Sequence, residues 1–147
     1  MVIYIIMALI AYVIGSINFS VIISKKVAGF DVREKGSGNA GATNMLRSVG
    51  KKGAIFTLIG DCLKGVVAIL FAIIVGKIAK NTDKALLVQL AGIAVVLGHT
   101  FPIFFGFKGG KGVASTFGFI LVTCWPVAVI ALGIWLVMAF AFRYSSL

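Results

Sequence analysis

The sequence predicts an all-α integral membrane protein, a polytopic helical bundle with short or broken helices and glycine-rich cytoplasmic loops. Of its 147 residues, 61% are hydrophobic and the mean hydropathy is +1.12, whereas soluble domains are about half apolar. The apolar residues form runs long enough to cross a hydrocarbon core of about 30 Å. Most of the charged residues lie between these runs, where two glycine-rich stretches also occur.

The apolar runs define the predicted spans. Met1–Ser24 carries no charged side chain, and Gly53–Gly76 and Ala85–Phe107 are the second and third spans. The last run, Gly112–Phe142, exceeds the roughly 20 residues that one span needs. Trp125–Pro126 near its middle favours a hairpin of two short segments over a single kinked span.

Basic residues predict the orientation of these spans. The loop Lys25–Lys52 contains seven lysines and arginines, and the connector Lys77–Lys84 contains three. Because cytoplasmic loops carry the excess of basic residues, we expect the first loop inside and the N-terminus outside. The hairpin would return Arg143 to the cytoplasmic side. The net charge of +10 is therefore assigned to orientation and to anionic lipid or substrate, not to nucleic acid.

Polar residues inside the spans have structural explanations first. Asp61 and Lys64 lie three residues apart in the second span, which predicts a neutralising ion pair rather than a site. Gly15 and Ser16 predict close helix packing, and Asn18 lining a polar cavity is the alternative. One histidine and two isolated cysteines give no metal-ligand pattern, so we expect neither a metal nor a cofactor.

The first loop contains the most informative stretch, Gly36–Asn44, which reads Gly-Ser-Gly-Asn-Ala-Gly-Ala-Thr-Asn. Glycines allow backbone N–H groups to converge on an anion. A short helix over Met45–Val49, stopped by Gly50, would add its N-terminus to a phosphate site. Arg47 is the one basic residue of this loop that we expect to be a specific ligand. No strand precedes the glycines, so they do not predict a dinucleotide site, and a flexible connector is the alternative.

The second glycine stretch is Lys108–Gly112, which reads Lys-Gly-Gly-Lys-Gly. Two cations on a backbone that can bend around a ligand predict anion binding. The only histidine, His99, stands at the end of the preceding span, and this place favours a functional role.

Three polar patches are predicted to meet on one membrane face: residues 36–47, 99–112 and 143–147. They contain no acidic residue, which argues against a magnesium–nucleotide site and for phosphate-bearing substrates held by cations and backbone amides. The candidate ligands are Gly36, Ser37, Gly38, Asn39, Asn44, Arg47, His99, Lys108, Gly109, Gly110, Lys111 and Ser146.

These stretches, with Gly98-His-Thr-Phe-Pro102 and the Arg143-Tyr144 ending, closely resemble motifs of the bacterial acyl-phosphate:glycerol-3-phosphate acyltransferases, the PlsY family. The resemblance implies a multi-pass protein of the bacterial inner membrane, active at its cytoplasmic face. It implies transfer of a fatty acyl group from acyl phosphate to the sn-1 hydroxyl of glycerol 3-phosphate. The products would be lysophosphatidic acid and phosphate, in phospholipid biosynthesis.

The resemblance also assigns roles to residues. Ser37 and its glycine loop would hold a phosphate, and Arg47 and a lysine of the second loop would clamp anionic groups. Ser37, Arg47 and His99 are the expected catalytic residues, with His99 as a helper base or an orienter. The other candidates, including Ser146, would bind substrate.

The domain organisation follows from the same resemblance. Family members continue past Leu147 with further spans. We therefore expect residues 1–147 to form a single membrane-embedded acyltransferase domain, C-terminally incomplete relative to the family, whose exposed apolar flank favours oligomerisation. The alternative function is a small transporter or anion-binding module for a phosphorylated solute.

Overall fold

The computed structural model describes residues 1–142, which form helices and loops without any strand. The α-helices within this range are α1 (Val2–Gly15), α2 (Phe19–Ala28), α3 (Ala42–Ser48), α4 (Lys51–Ile78), α5 (Lys84–Thr100), α6 (Val113–Thr123) and α7 (Trp125–Phe142). Two 3₁₀ turns cover Val32–Glu34 and Ile103–Phe105. In the described part of the chain, three stretches are long and apolar enough to cross a membrane: Val2–Ala28, Lys51–Ile78 and Lys84–Phe105.

The first span is broken, where the sequence predicted one continuous span. Helix α1 ends at Gly15, and Asn18 caps α2 by accepting a hydrogen bond on its side chain from the Val21 amide (3.3 Å). The Ser20 hydroxyl also donates to the Asn18 Oδ1 atom (2.8 Å). An asparagine can cap a helix in the middle of an apolar run because its side chain supplies a local acceptor. The break is tolerated because it is buried in protein.

Glycines set the distance between neighbouring helices. A Cβ atom on Gly15 would collide with the Val95 backbone of α5, and one on Gly98 would collide with the Tyr12 carbonyl of α1. Helices α4 and α6 are matched in the same way, because a Cβ on Gly118 would collide with the Cys62 carbonyl. Small residues at such contacts let helix backbones approach closely. The predicted packing role of Gly15 is confirmed.

The apolar core lies where α1, α4 and α5 meet. It is built from buried residues that include Met7, Ala11, Ile69, Leu87 and Val95. Most of the large apolar side chains of α7 are exposed instead.

Helix boundaries beside the loops differ in small ways from the predictions. Helix α3 begins at Ala42 rather than Met45, because Gly41 already serves as its N-cap. The chain breaks at Cys124, directly before the turn predicted at Trp125–Pro126. Pro126 then lies in the first turn of α7, where its missing N–H group costs no helical hydrogen bond.

Candidate active site

Asn44 shapes the first glycine loop from inside. Its side chain is fully buried, and its Nδ2 atom lies 2.9–3.0 Å from the carbonyl oxygens of Val32, Lys35 and Asn39. Its Oδ1 atom accepts a hydrogen bond from the Ser37 amide (3.1 Å). This side-chain amide group therefore fixes the loop that carries the neighbouring candidates. That Asn44 also binds substrate stays a prediction.

The glycines of this loop occupy backbone conformations that other residues rarely adopt. Gly36 and Gly38 have φ values of +59° and +72°, in the left-handed region. A Cβ on Gly36 would also collide with the Asn44 side chain. The resulting turn leaves Ser37 exposed, with Asn39 half-buried beside it.

The short helix predicted after the glycine loop is present. Helix α3 has seven residues and begins at Ala42, directly after Gly41. Binding of a phosphate at its N-terminus stays a prediction.

Three cations are available for that purpose. Arg47 on α3 and Lys108 and Lys111 in the second loop are exposed. Within residues 1–142, none of the three forms an ion pair or a hydrogen bond through its side chain. Cations without internal partners remain free to bind an anionic ligand.

The two glycine loops meet at Gly110. A Cβ at this position would collide with the Nε2 atom of His99 and would lie against the Ala40 carbonyl oxygen. The amides of Gly109 and Gly110 donate to the carbonyls of Thr100 and His99, both at 3.1 Å. These two amides are therefore used internally, and substrate binding by Gly109 and Gly110 stays a prediction. The glycines act by letting both loops approach His99.

His99 lies beneath this junction. Its side chain is only 4% exposed, and its Nδ1 atom lies 3.5 Å from Oδ1 of Asp61 while the Nε2 edge faces Gly110. A ring enclosed between a carboxylate and the backbone is better placed to orient the loop than to take a proton from a substrate. This geometry supports a role of His99 as an orienter, and its part in catalysis stays a prediction.

The predicted Asp61–Lys64 ion pair is present in α4. The Lys64 Nζ atom lies 2.9 Å from Oδ1 of Asp61 and donates to the Ile17 carbonyl at the α1–α2 break (2.8 Å). Asp61, Lys64 and His99, which we call the buried triad, thus connect α4, α5 and the broken first span.

Sequence reasoning missed Arg33, which was grouped with the other basic residues of the first loop. Its Nε and Nη2 atoms bind the two carboxylate oxygens of Asp31, at 2.9 and 2.8 Å. Its Nη1 atom donates to the carbonyls of Phe105 (2.6 Å) and Lys108 (3.0 Å). The guanidinium holds the pKa of Asp31 down at about 2, and the carboxylate raises the pKa of Arg33. The available signal was the Asp31-x-Arg33 spacing.

Ser146, the remaining candidate, lies outside the described residues, as does Arg143.

The fold and this site define a class of protein: a polytopic membrane protein whose basic, glycine-rich loops meet at one end of a helical bundle. The family model for glycerol-3-phosphate acyltransferase matches residues 5–147. The chain belongs to the glycerol-3-phosphate acyltransferase family.

Individual relatives and structures agree with that family. A glycerol-3-phosphate acyltransferase of Neisseria meningitidis is 48% identical over 138 residues, covering 94% of this chain and 68% of the relative. One of Rhodospirillum rubrum is 49% identical over 141 residues, covering 95% and 65%. The crystal structure of PlsY (YgiH), an integral membrane glycerol 3-phosphate acyltransferase in its glycerol 3-phosphate form, superimposes with a TM-score of 0.84 at 39% identity, covering 97% and 68%. Its lysophosphatidic acid form gives a TM-score of 0.76 at 37% identity, covering 92% and 64%.

The chain thus spans about two thirds of the length of these proteins. The predicted family, the all-α membrane fold and the acyltransferase function are confirmed, and the chain is a bacterial membrane protein. The acyl donor, the roles of single residues, the orientation and oligomerisation stay predictions.

Proposed function

We propose that this acyltransferase moves a fatty acyl group from acyl phosphate to the sn-1 hydroxyl of glycerol 3-phosphate, at the cytoplasmic face of the inner membrane. The observation that carries the proposal is the junction of the two glycine loops. The exposed Arg47 on α3, which follows the first loop, and the exposed Lys108 and Lys111 of the second loop have no side-chain partners within residues 1–142. Two phosphate-bearing substrates need such a set of cations. The glycerol 3-phosphate and lysophosphatidic acid forms of the related PlsY support the acceptor and the product.

The chemistry needs charge stabilisation more than a strong base. The acceptor hydroxyl oxygen forms a bond to the acyl carbon, and the bond from that carbon to the phosphate oxygen breaks. The departing phosphate takes the hydroxyl proton, so the products are the ester and hydrogen phosphate. Cations placed beside the developing oxyanion and the leaving phosphate lower this barrier. Arg47 can bind a phosphate through two N–H groups, and each lysine supplies a point charge.

The other candidate residues support this arrangement. The exposed Ser37 hydroxyl lies on the loop that Asn44 fixes, and it is proposed to hold a substrate phosphate together with that loop. His99 is proposed to act from below the junction by holding Gly110 in place. The orientation rests on the seven basic residues of the first loop against three in the connector between α4 and α5.

The geometry gives the transporter alternative no support. A transporter needs polar groups along a path through the bilayer. The charged residues inside the spans, Asp61 and Lys64, pair with each other and are each only 2% exposed.

The test is phosphate release from acyl phosphate by the purified protein in detergent or lipid bilayers, with and without glycerol 3-phosphate. We expect release that requires glycerol 3-phosphate and falls by about 10²-fold or more in Ser37→Ala and Arg47→Ala, the size of effect seen for single oxyanion-stabilising groups. Lys80→Ala, which removes an exposed cation from the other connector, is the matched control and should keep wild-type activity.

Acyl-CoA supplied in place of acyl phosphate tests the donor. Equal rates with both donors would contradict the proposed donor. Phosphate release at the same rate with and without glycerol 3-phosphate would contradict the proposed acceptor.

A further inference from the structure

The contacts of Arg33 join segments that are far apart in the chain. Arg33 lies in the 3₁₀ turn that follows α2, while the carbonyls it binds belong to residues 72 and 75 positions later. Its side chain is 22% exposed and that of Asp31 is 8% exposed. The guanidinium fork is fully used, with one edge on the carboxylate and Nη1 on the two carbonyls. We call this arrangement the Arg33 clip.

The segment that the clip holds has an unfavourable backbone conformation. Between the two bound carbonyls, Gly106 and Phe107 both have left-handed φ values, +65° and +58°. Glycine adopts this region freely, but a bulky residue such as phenylalanine does so only when its surroundings enforce it. On the other side, the amides of Phe105 and Phe107 both donate to the Pro102 carbonyl (3.1 and 3.0 Å), and neither contact reaches the first loop. The clip therefore supplies a restraint that the local sequence does not.

The held segment leads directly into the second glycine loop. Lys108 is itself the last residue that Arg33 contacts, and Gly109 and Gly110 follow at the junction with His99 and Ala40. A change of backbone direction at residues 105–108 would move the Lys108 side chain and turn the loop away from Ala40.

We propose that Arg33, oriented by Asp31, is a positioning residue that fixes the second glycine loop against the first, so that Lys108 faces the substrate. This proposal rests on the proposed function, because the ligand that Lys108 would bind is the phosphate-bearing substrate of that reaction. Arg33 acts through Lys108 and does not touch substrate itself.

The kinetic test compares Arg33→Ala, Arg33→Lys and Lys108→Ala. We expect Arg33→Ala to raise KM for a phosphate-bearing substrate about 10-fold with a smaller change in kcat. Arg33→Lys should not restore the wild-type KM. A single ammonium group cannot contact the Asp31 carboxylate and the two backbone carbonyls at the same time. In a Lys108→Ala background, Arg33→Ala should have little further effect, since the side chain it positions is gone. The proposal would be overturned if the fold-change in KM of the double variant equalled the product of the fold-changes of the two single variants.

A second test needs no activity. Limited trypsin digestion of the full chain in detergent reports how often the second loop opens. We expect cleavage after Lys108 and Lys111 to rise several-fold in Arg33→Ala and in Asp31→Asn, while cleavage after Lys80 stays constant.

The matched control for this digestion is Lys35→Ala, two residues away. The Lys35 ammonium lies over the Phe30 ring, 5.9 Å from its centroid, and not against the second loop. Its removal should therefore leave the rates of cleavage in the second loop and after Lys80 unchanged. A digestion of Arg33→Ala that matches Lys35→Ala, or one that is faster at all sites alike, would overturn the clip whether or not the protein transfers acyl groups. A failure of wild-type acyl transfer with selective loop opening would overturn only the proposed function.

Discussion

Within residues 1–142, two carboxylates each bind two basic side chains, one inside the helical bundle and one at its loop end. In the buried triad, Asp61 lies 2.9 Å from Lys64 and 3.5 Å from His99, with all three side chains at most 4% exposed. At the loop end, Asp31 lies 2.8 Å from Arg33 and 3.4 Å from Lys25, and the two basic side chains are 22% and 58% exposed.

The difference lies in what each group would lose if its partner were removed. Inside the bundle, an unpaired charge has no water to solvate it, so the triad is held together by the cost of breaking it. At the loop end, the Asp31 side chain is only 8% exposed, but its partners are 22% and 58% exposed, so water can replace part of each lost contact and the cost of removing a partner is smaller. The buried triad therefore holds the helices together, while the Arg33 clip positions two loops and contributes less to stability. The following predictions test this contrast.

The largest effect is expected for the buried triad. Lys64→Met should lower the free energy of unfolding by about 3–5 kcal/mol, because it leaves the Asp61 carboxylate buried beside a histidine alone. Thermal unfolding in detergent would measure the loss. The double variant Asp61→Asn with Lys64→Met should recover most of it, since no unpaired charge remains. A double variant less stable than Lys64→Met alone would show that the attraction itself, and not the unpaired charge, dominates.

Close packing around the triad should matter next. The Ser115 hydroxyl of α6 donates to the Asp61 carbonyl (3.0 Å), and this contact needs the close approach that Gly118 permits. Gly118→Ala should cost about 1–3 kcal/mol through overpacking. Its control is Gly133→Ala in α7, where nothing lies within 4 Å of the added Cβ and stability should change little or rise slightly. Equal losses in the two variants would contradict this account.

Asp31→Asn should cost about 2 kcal/mol at neutral pH, the value of a pKa lowered from 3.8 to about 2. Because the folded-state pKa is depressed, this stability is fully present above about pH 4 and is lost as the pH falls through about 2. The difference in unfolding temperature between wild type and variant should therefore be constant from pH 5 to 8 and shrink below pH 4. A difference that varies between pH 5 and 8 would contradict the assignment to Asp31.

The smallest effect is expected for Lys25→Ala. Its ammonium is more than half exposed, so the change in unfolding free energy should stay within about 0.5 kcal/mol. Raising the salt concentration should remove even that, because exposed ion pairs are screened. A loss of unfolding free energy as large as that of Asp31→Asn would contradict the distinction between the Arg33 clip and the exposed Lys25–Asp31 pair.

The sequence by itself determined the membrane class, the approximate spans, the two glycine loops and the family. These depend on local features: the length of apolar runs, the absence of charge within them and the order of letters in two motifs. The Asp61–Lys64 pair was predictable for the same reason, since residues three apart on a helix share a face.

Only the tertiary structure decided which polar side chains serve the loops and which remain free. Asn44 is consumed by three carbonyls of its own loop, and His99 is enclosed beneath Gly110. Arg33 and Arg47 are two of the seven basic residues in one loop, and the Asp31-x-Arg33 spacing does not indicate that Arg33 reaches Phe105 and Lys108. Arg33 binds backbone carbonyls because folding brings Phe105 and Lys108 next to it. Arg47 remains exposed, and contacts over such separations leave no trace in a neighbouring sequence pattern.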